Sequence, residues 1–194
     1  MTTNSRTAKS VAICEETQTL RESETHLDAV NVVGQHPNVA PGEFPAPIGR
    51  LLGLTISRSG AGRATVEFEA NGRYANPMGT LHGGVLCDLA DAAMGVAYLS
   101  TLAEGETATT IELKINFLRP VWNAKLRAEA RVVQAGKVVG LIECDILDER
   151  QRLVARASST CMTLRGRLAE GRHFGQSMKT ASASADARKE QRNK

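Results

Sequence analysis

Apolar residues fall into two patterns along this chain. From Val85 to Leu99 they run almost without a break, interrupted only by Asp88, Asp91 and Gly95, and alanine is frequent. Alanine is the strongest helix former, and a helix that is apolar nearly all round is a buried one. The stretch therefore predicts one central helix, too short for a bilayer, which takes ~20 residues. Elsewhere the apolar positions alternate. Residues 63–70 set Ala64, Val66 and Phe68 against Thr65, Glu67 and Glu69. Residues 109–118 set Ile111, Leu113, Ile115 and Phe117 against Thr110, Glu112, Lys114 and Asn116, and Pro120 follows. Such alternation predicts half-buried strands. Further strands are expected at 54–59, 125–134, 138–147 and 152–164, with short turns at 60–62, 135–137 and 148–151, as in antiparallel hairpins.

The order is strand, strand, long helix, four strands. One apolar helix against one antiparallel sheet of about six strands makes an α+β domain, with the sheet wrapped around the helix. A short helical turn is expected at 48–53. The remainder divides into a flexible leader and Pro-rich linker at 1–46, the domain at 47–167, and a basic tail at 168–194 expected to be disordered. Weak amphipathic spacing in the leader (Ile13, Leu20, Leu27, Val30) adds nothing firm.

Charge changes the picture only when it is located. The chain of 194 residues carries +3. Residues from Arg165 onward hold +5 of it, leaving −2 on residues 1–164. A nucleic-acid-binding domain would carry its basic face on the body, so this class is excluded. Cys14, Cys87, Cys144 and Cys161 lack metal-ligand spacing. Cys87, Cys144 and Cys161 sit in apolar surroundings and suit a reducing compartment. No secretory signal or membrane span is visible, so the expected location is the cytoplasm, with no membrane partner and no metal or cofactor.

The candidate chemistry sits at the start of the helix and on one of its faces. Asn76-Pro77-Met78-Gly79-Thr80-Leu81-His82-Gly83-Gly84 leads into it. The first amides of a helix have no helical acceptor and sit at its positive end. With Gly83 and Gly84 there, a substrate oxygen can come close to the backbone, as an oxyanion hole requires. A tight turn packed on the sheet would use glycine equally. Gly84, Asp88, Asp91, Gly95 and Tyr98 recur at steps of four, three, four and three, which sets them on one face. Asp91 suits a general base or nucleophile. Asp88 is open to the same role, to pairing with an arginine or to capping. Asn76 is either a substrate-facing amide or a turn residue. His82 is read first as a hydrogen-bond donor that fixes the loop. Thr110 lies on the polar face of its strand, where it can hold a water.

Gly83 and Asp91 are eight residues apart, ~12 Å along a helix axis. One carbonyl cannot touch both in the same chain. If both act on one substrate, they come from two subunits, and two antiparallel helices centred near Cys87 would set Gly83 of one against Asp91 of the other. A two-fold dimer with two equivalent sites follows.

The ordered set of Asn76, His82-Gly83-Gly84, Asp91 and Thr110, the last opening Thr-Ile-Glu-Leu-Lys-Ile-Asn-Phe-Leu-Arg-Pro, resembles the hotdog-fold acyl-CoA thioesterases of the PaaI type. These include phenylacetyl-CoA and 4-hydroxybenzoyl-CoA thioesterases, and the likeness covers about residues 48–166. The resemblance implies a hotdog fold, an acyl-CoA substrate, aromatic or fatty, and a homodimer with shared sites, often doubled to a homotetramer. It assigns the acid to Asp91, the oxyanion amide to Gly83, the loop amide to Asn76 and the water-holding hydroxyl to Thr110. His82 and Gly84 fall beside the substrate. A threonine found in some members one turn after the acid is replaced here by Gly95. Arg119, Lys125 and Arg127 are the cations at hand for CoA phosphates. The alternative is a non-catalytic acyl-CoA sensor on the same fold. Its effector element would have to lie in residues 1–40, which are short, acidic and without a helix–turn–helix pattern. A dehydratase of the same superfamily would need a differently placed histidine, and a bare dimerisation module leaves the helix acids without a job.

Overall fold

The computed structural model describes residues 40–172. The amphipathic spacing of the leader and the far end of the basic tail lie outside the described residues. The elements follow in the order β1 (Gly42–Glu43), α1 (Pro47–Leu52), β2 (Thr55–Gly60), β3 (Arg63–Ala70), α2 (Gly83–Leu99), β4 (Thr107–Phe117), β5 (Ala124–Ala135), β6 (Val139–Asp148) and β7 (Leu153–Leu164). All strand pairs are antiparallel, in the order β1-β2-β3-β5-β6-β7-β4. The chain leaves β3, runs through α2 and returns at the far edge of the sheet beside β7.

α2 meets every strand from β2 to β7. Leu89, Ala90, Ala93, Met94, Val96, Ala97 and Tyr98 are wholly buried, and they pack on Val66, Ile142, Ile146 and Val154 from the sheet. This is the hotdog arrangement that the resemblance implied. The six expected strands are present within a residue or two, and a seventh, β1, comes from the end of the linker. Phe44 beside it is 5% exposed and joins the core. Its backbone N–H donates to Leu54 at 3.1 Å, and α1 closes on a left-handed cap at Gly53.

Two details depart from the expected pattern. The strip Gly84, Asp88, Asp91 and Gly95 is exposed or half-exposed, but Tyr98, expected at its end, is wholly buried. Its hydroxyl pairs with that of Thr163 at 2.8 Å, and the ring lies against Gly140 of β6, where no side chain would fit. The sheet covers the C-terminal turn of α2 from the side that the strip leaves open further up. In β4 the register slips between Thr110 and Glu112, so Ile111 is the extra residue of a β-bulge.

Candidate active site

The loop before α2 is fastened from within. The Asn76 carboxamide oxygen accepts from the backbone N–H of Met78 at 2.9 Å and of Thr80 at 3.2 Å, and its amide donates to the Thr80 hydroxyl at 2.9 Å. Gly79, in the left-handed region at φ 78°, lets the chain reverse. Leu81 N–H donates to Val121 and His82 N–H to Tyr74, which ties the loop to the rest of the domain. Asn76 is therefore first a turn residue. One of its two amide protons remains for another acceptor.

His82 caps α2, with Nδ1 accepting from Gly84 N–H at 2.9 Å. The expected donor is thus an acceptor. An accepting Nδ1 puts the proton of the neutral ring on Nε2. The cap also consumes the Gly84 amide, so the two glycines are not equivalent. Among the described residues no acceptor faces the Gly83 N–H. A side chain at Gly83 would meet the Phe117 ring at 3.0 Å. Glycine there serves close packing as well as access to the amide.

The bulge decides the position of Thr110. Cross-strand neighbours in an antiparallel pair share a face. Thr110 lies opposite the buried Cys161, as Leu113 lies opposite Ser159 and Ile115 opposite Ala157, all buried on β7. The simple alternation had placed Thr110 with Glu112 and Lys114. The extra residue turns it instead to the side facing α2, as bulges beside functional sites do. There the Thr110 hydroxyl donates to Asp91 Oδ1 at 2.9 Å. Asp88 has neither an arginine partner nor a capping role among the described residues. Partial burial and then the charge of Asp91 push its carboxyl above the ordinary range. Burial, Asp88 and Asp91 likewise push up the Cys87 thiol.

Two clefts divide these residues. One, of about 440 Å³, is lined by Asn76, Thr80, Gly83, Phe117 and Arg119. The other, of about 250 Å³, is lined by Asp88, Asp91, Gly95 and apolar residues of α1 and its neighbours. Within one chain the structure brings Asn76 together with Gly83 in one cleft and leaves Asp91, hydrogen-bonded to Thr110, in the other. Arg119 stands in the Gly83 cleft. Lys125 and Arg127 line a different one, of about 490 Å³, among Glu67, Glu69 and Glu149, and Arg127 is held by Glu129 and Gln151. Sequence reasoning passed over Thr80, the partner of Asn76, and Phe117, the lid on Gly83. Neither carries a signal beyond a turn residue and a strand alternation.

The sequence profile of the thioesterase superfamily matches residues 78–155, from the entry loop into β7. The proofreading thioesterase EntH of Klebsiella pneumoniae is 32% identical over 52% of this chain and 74% of its own length. The medium/long-chain acyl-CoA thioesterase YigI of Escherichia coli is 29% identical over 61% of this chain and 86% of its own. The solved structure of the PaaI protein from the E. coli phenylacetic acid degradation operon superposes with a TM-score of 0.58 at 30% identity, covering 61% of this chain and 85% of that one. With the helix, the sheet order and this level of identity in agreement, the chain belongs to the thioesterase superfamily and is a thioester hydrolase of hotdog fold.

Proposed function

We propose that the protein hydrolyses an acyl-CoA to the free acid and CoA at a site built by two subunits. The Gly83 amide of one subunit polarises the thioester carbonyl, and Asp91 of the partner subunit supplies the carboxylate. The observation that carries this reading is the Thr110–Asp91 hydrogen bond. It holds one carboxylate oxygen and leaves the other for a water or for the carbonyl carbon. As base, Asp91 takes a proton from water while the water oxygen bonds to the carbonyl carbon. The C–S bond then breaks and the thiolate leaves, to be protonated. As nucleophile, Asp91 displaces the thiolate itself and water cleaves the resulting anhydride. Asn76 aligns the substrate with its spare amide proton, and His82 and Gly84 shape the rim. Arg119 is the cation best placed for a CoA phosphate.

The dimer is supported by three features. Gly83 and Asp91 open into separate clefts of one chain. The strip of Asp88, Asp91 and Gly95 is uncovered or half-covered, and small residues let a second helix approach. Among the described residues β4 pairs with β7 alone, which leaves its other edge open, and an open edge is a template for another strand. Ile111 and Phe117 on it are 56% and 54% exposed. Two such dimers would make the tetramer. The three free cysteines among the described residues support a reducing, cytoplasmic setting, and no described helix is long and apolar enough to cross a membrane.

The test is thiol release from a panel of aryl-acetyl and fatty acyl-CoAs by the wild type and by Asp91→Asn. Release by the wild type that drops ~100-fold or more in the mutant is expected, in the range typical of a lost acid–base group. Undiminished release by the mutant would sink the mechanism. Binding of CoA thioesters without release by the wild type would favour the sensor.

A further inference from the structure

Along β7 the buried row of alternate positions reads Ala155, Ala157, Ser159, Cys161 and Thr163. Thr163 is taken up by the Tyr98 hydroxyl. Ser159 and Cys161 lie opposite β4 on either side of its bulge, next to Thr110. We propose that Ser159 and Cys161 are positioning residues for Asp91: acting through Thr110, they fix the direction of the hydroxyl that holds the carboxylate. This role rests on the hydrolase reading above and extends it to two buried side chains that touch no substrate.

Protons decide the direction of the chain of groups. Cys161 Sγ lies 3.9 Å from Thr110 Oγ1 and 3.8 Å from Ser159 Oγ. Each of the three side chains has a single proton to donate. That of Thr110 goes to Asp91 Oδ1 at 2.9 Å, and that of Ser159 to the backbone carbonyl of Glu112 at 2.8 Å. Both oxygens can then only accept, so the Cys161 S–H is the donor between them. Burial pushes the Cys161 thiol up, which keeps that proton in place. With the thiol donating toward it, the Thr110 hydroxyl turns its own proton outward to Asp91.

Ser159 also fastens the bulge itself. Glu112 follows the extra residue Ile111, at the point where pairing with β7 resumes. A bulge disrupts the ladder locally. The Ser159 hydroxyl bonds the strand directly after that interruption and so holds the phase that turns Thr110 inward. Ser159 is 0% exposed. A buried hydroxyl is costly unless bonded, and alanine already fills two positions of the same row, so packing alone does not call for serine.

The experiment is a pair of double-mutant cycles. Thiol release is measured for Ser159→Ala and Cys161→Ala, each in the wild-type chain and in Thr110→Val, on whichever acyl-CoA of the panel above the wild type turns over fastest. KM and a thermal melt accompany each variant. In the wild-type chain kcat should fall about two- to tenfold for Ser159→Ala, the range of one neutral hydrogen bond. Cys161→Ala should fall toward the lower end of that range, because a thiol is a weak donor. KM should change little in either. In Thr110→Val neither substitution should lower kcat further, because the hydroxyl that they direct is gone. Cys161→Ser keeps a donor and should recover the wild-type kcat. Residues that only support the fold would lower kcat by the same factor in both backgrounds, and equal factors would overturn the proposal, as would a wild-type kcat in Ser159→Ala. If Ser159→Ala does not fold, the Cys161→Ala cycle and the Cys161→Ser rescue decide. Equal factors alongside wild-type release that Asp91→Asn abolishes would overturn only the role of β7. No release by the wild type from any acyl-CoA would overturn the hydrolase reading and this role with it.

Discussion

Replacing Thr110 with valine removes one hydroxyl and almost nothing else. That hydroxyl is the donor held 2.9 Å from Asp91 Oδ1. Without it the carboxylate loses its fixed orientation on α2. A hydrogen bond to a charged group contributes about 1.5–3 kcal/mol net, and the exposure of both residues favours the lower end. At ~1.36 kcal/mol per tenfold in rate, kcat should fall between about tenfold and a hundredfold. KM should change little, since the bond holds the acid and not the substrate. Thr110→Ser keeps the donor and should recover most of the rate. Folding should lose no more than the lower end of the same range, seen as a melting temperature lowered by a few degrees at most. Thiol release under saturating acyl-CoA, with a thermal melt on the same samples, reads both. A Thr110→Val enzyme within twofold of wild-type kcat would refute the argument that this bond orients the acid.

Two further outcomes follow from the fold. Gly140→Ala would place a Cβ 2.2 Å from the wholly buried Tyr98 ring, so overpacking should cost about 1–3 kcal/mol, seen as a melting temperature lowered by several degrees; an unchanged melt would refute the close approach. Asp148 is 4% exposed. Burial pushes its carboxyl up, but the hydrogen bonds from Arg152 and Arg150 and the charge of Arg152 outweigh this and hold it below the ordinary value of 3.8. A folded pKa below the unfolded one means stability that is fully present above pH ~4 and lost as pH falls through the lowered value. Denaturant midpoints between pH 6 and 2 should therefore fall less steeply at the acid end for Asp148→Asn than for the wild type, and identical slopes would show that this carboxylate is not the source.

The candidate site was legible where chemistry is written into local order. His82, Gly83 and Gly84 precede an apolar helix, and any helix start offers free amides there. Asp91 was visible because a carboxylate in so apolar a helix needs a reason. Which of the two glycine amides stays free was not legible, because it depends on the rotamer that brings His82 Nδ1 to Gly84. Asp88 and Asp91 were also hard to separate, since both lie on the strip and only one finds a hydroxyl across the sheet. The cations were the least legible. Arg119, Lys125 and Arg127 look alike in the chain, but the strand register places the last two among glutamates.

By itself, the sequence determined the two periodicities, and with them one buried helix, six strands and the antiparallel hairpins that join them. Side-chain burial follows a period of about 3.6 or of 2, and that information is local. It also determined that Gly83 and Asp91 cannot meet within one helix, because the rise per residue is fixed. The tertiary structure decided what local periodicity cannot hold. A single extra residue at Ile111 reverses the phase of β4, and this is what turns Thr110 from the polar face to Asp91. Tyr98 shares its helical face with Asp91, yet it is buried because the sheet covers that end of α2 and Gly140 leaves room for its ring. The apolar cleft beside Asp91 exists because Phe44 and α1, forty residues earlier in the chain, fold back over the same helix. Each of these is a contact between segments far apart in sequence, and only packing brings them together.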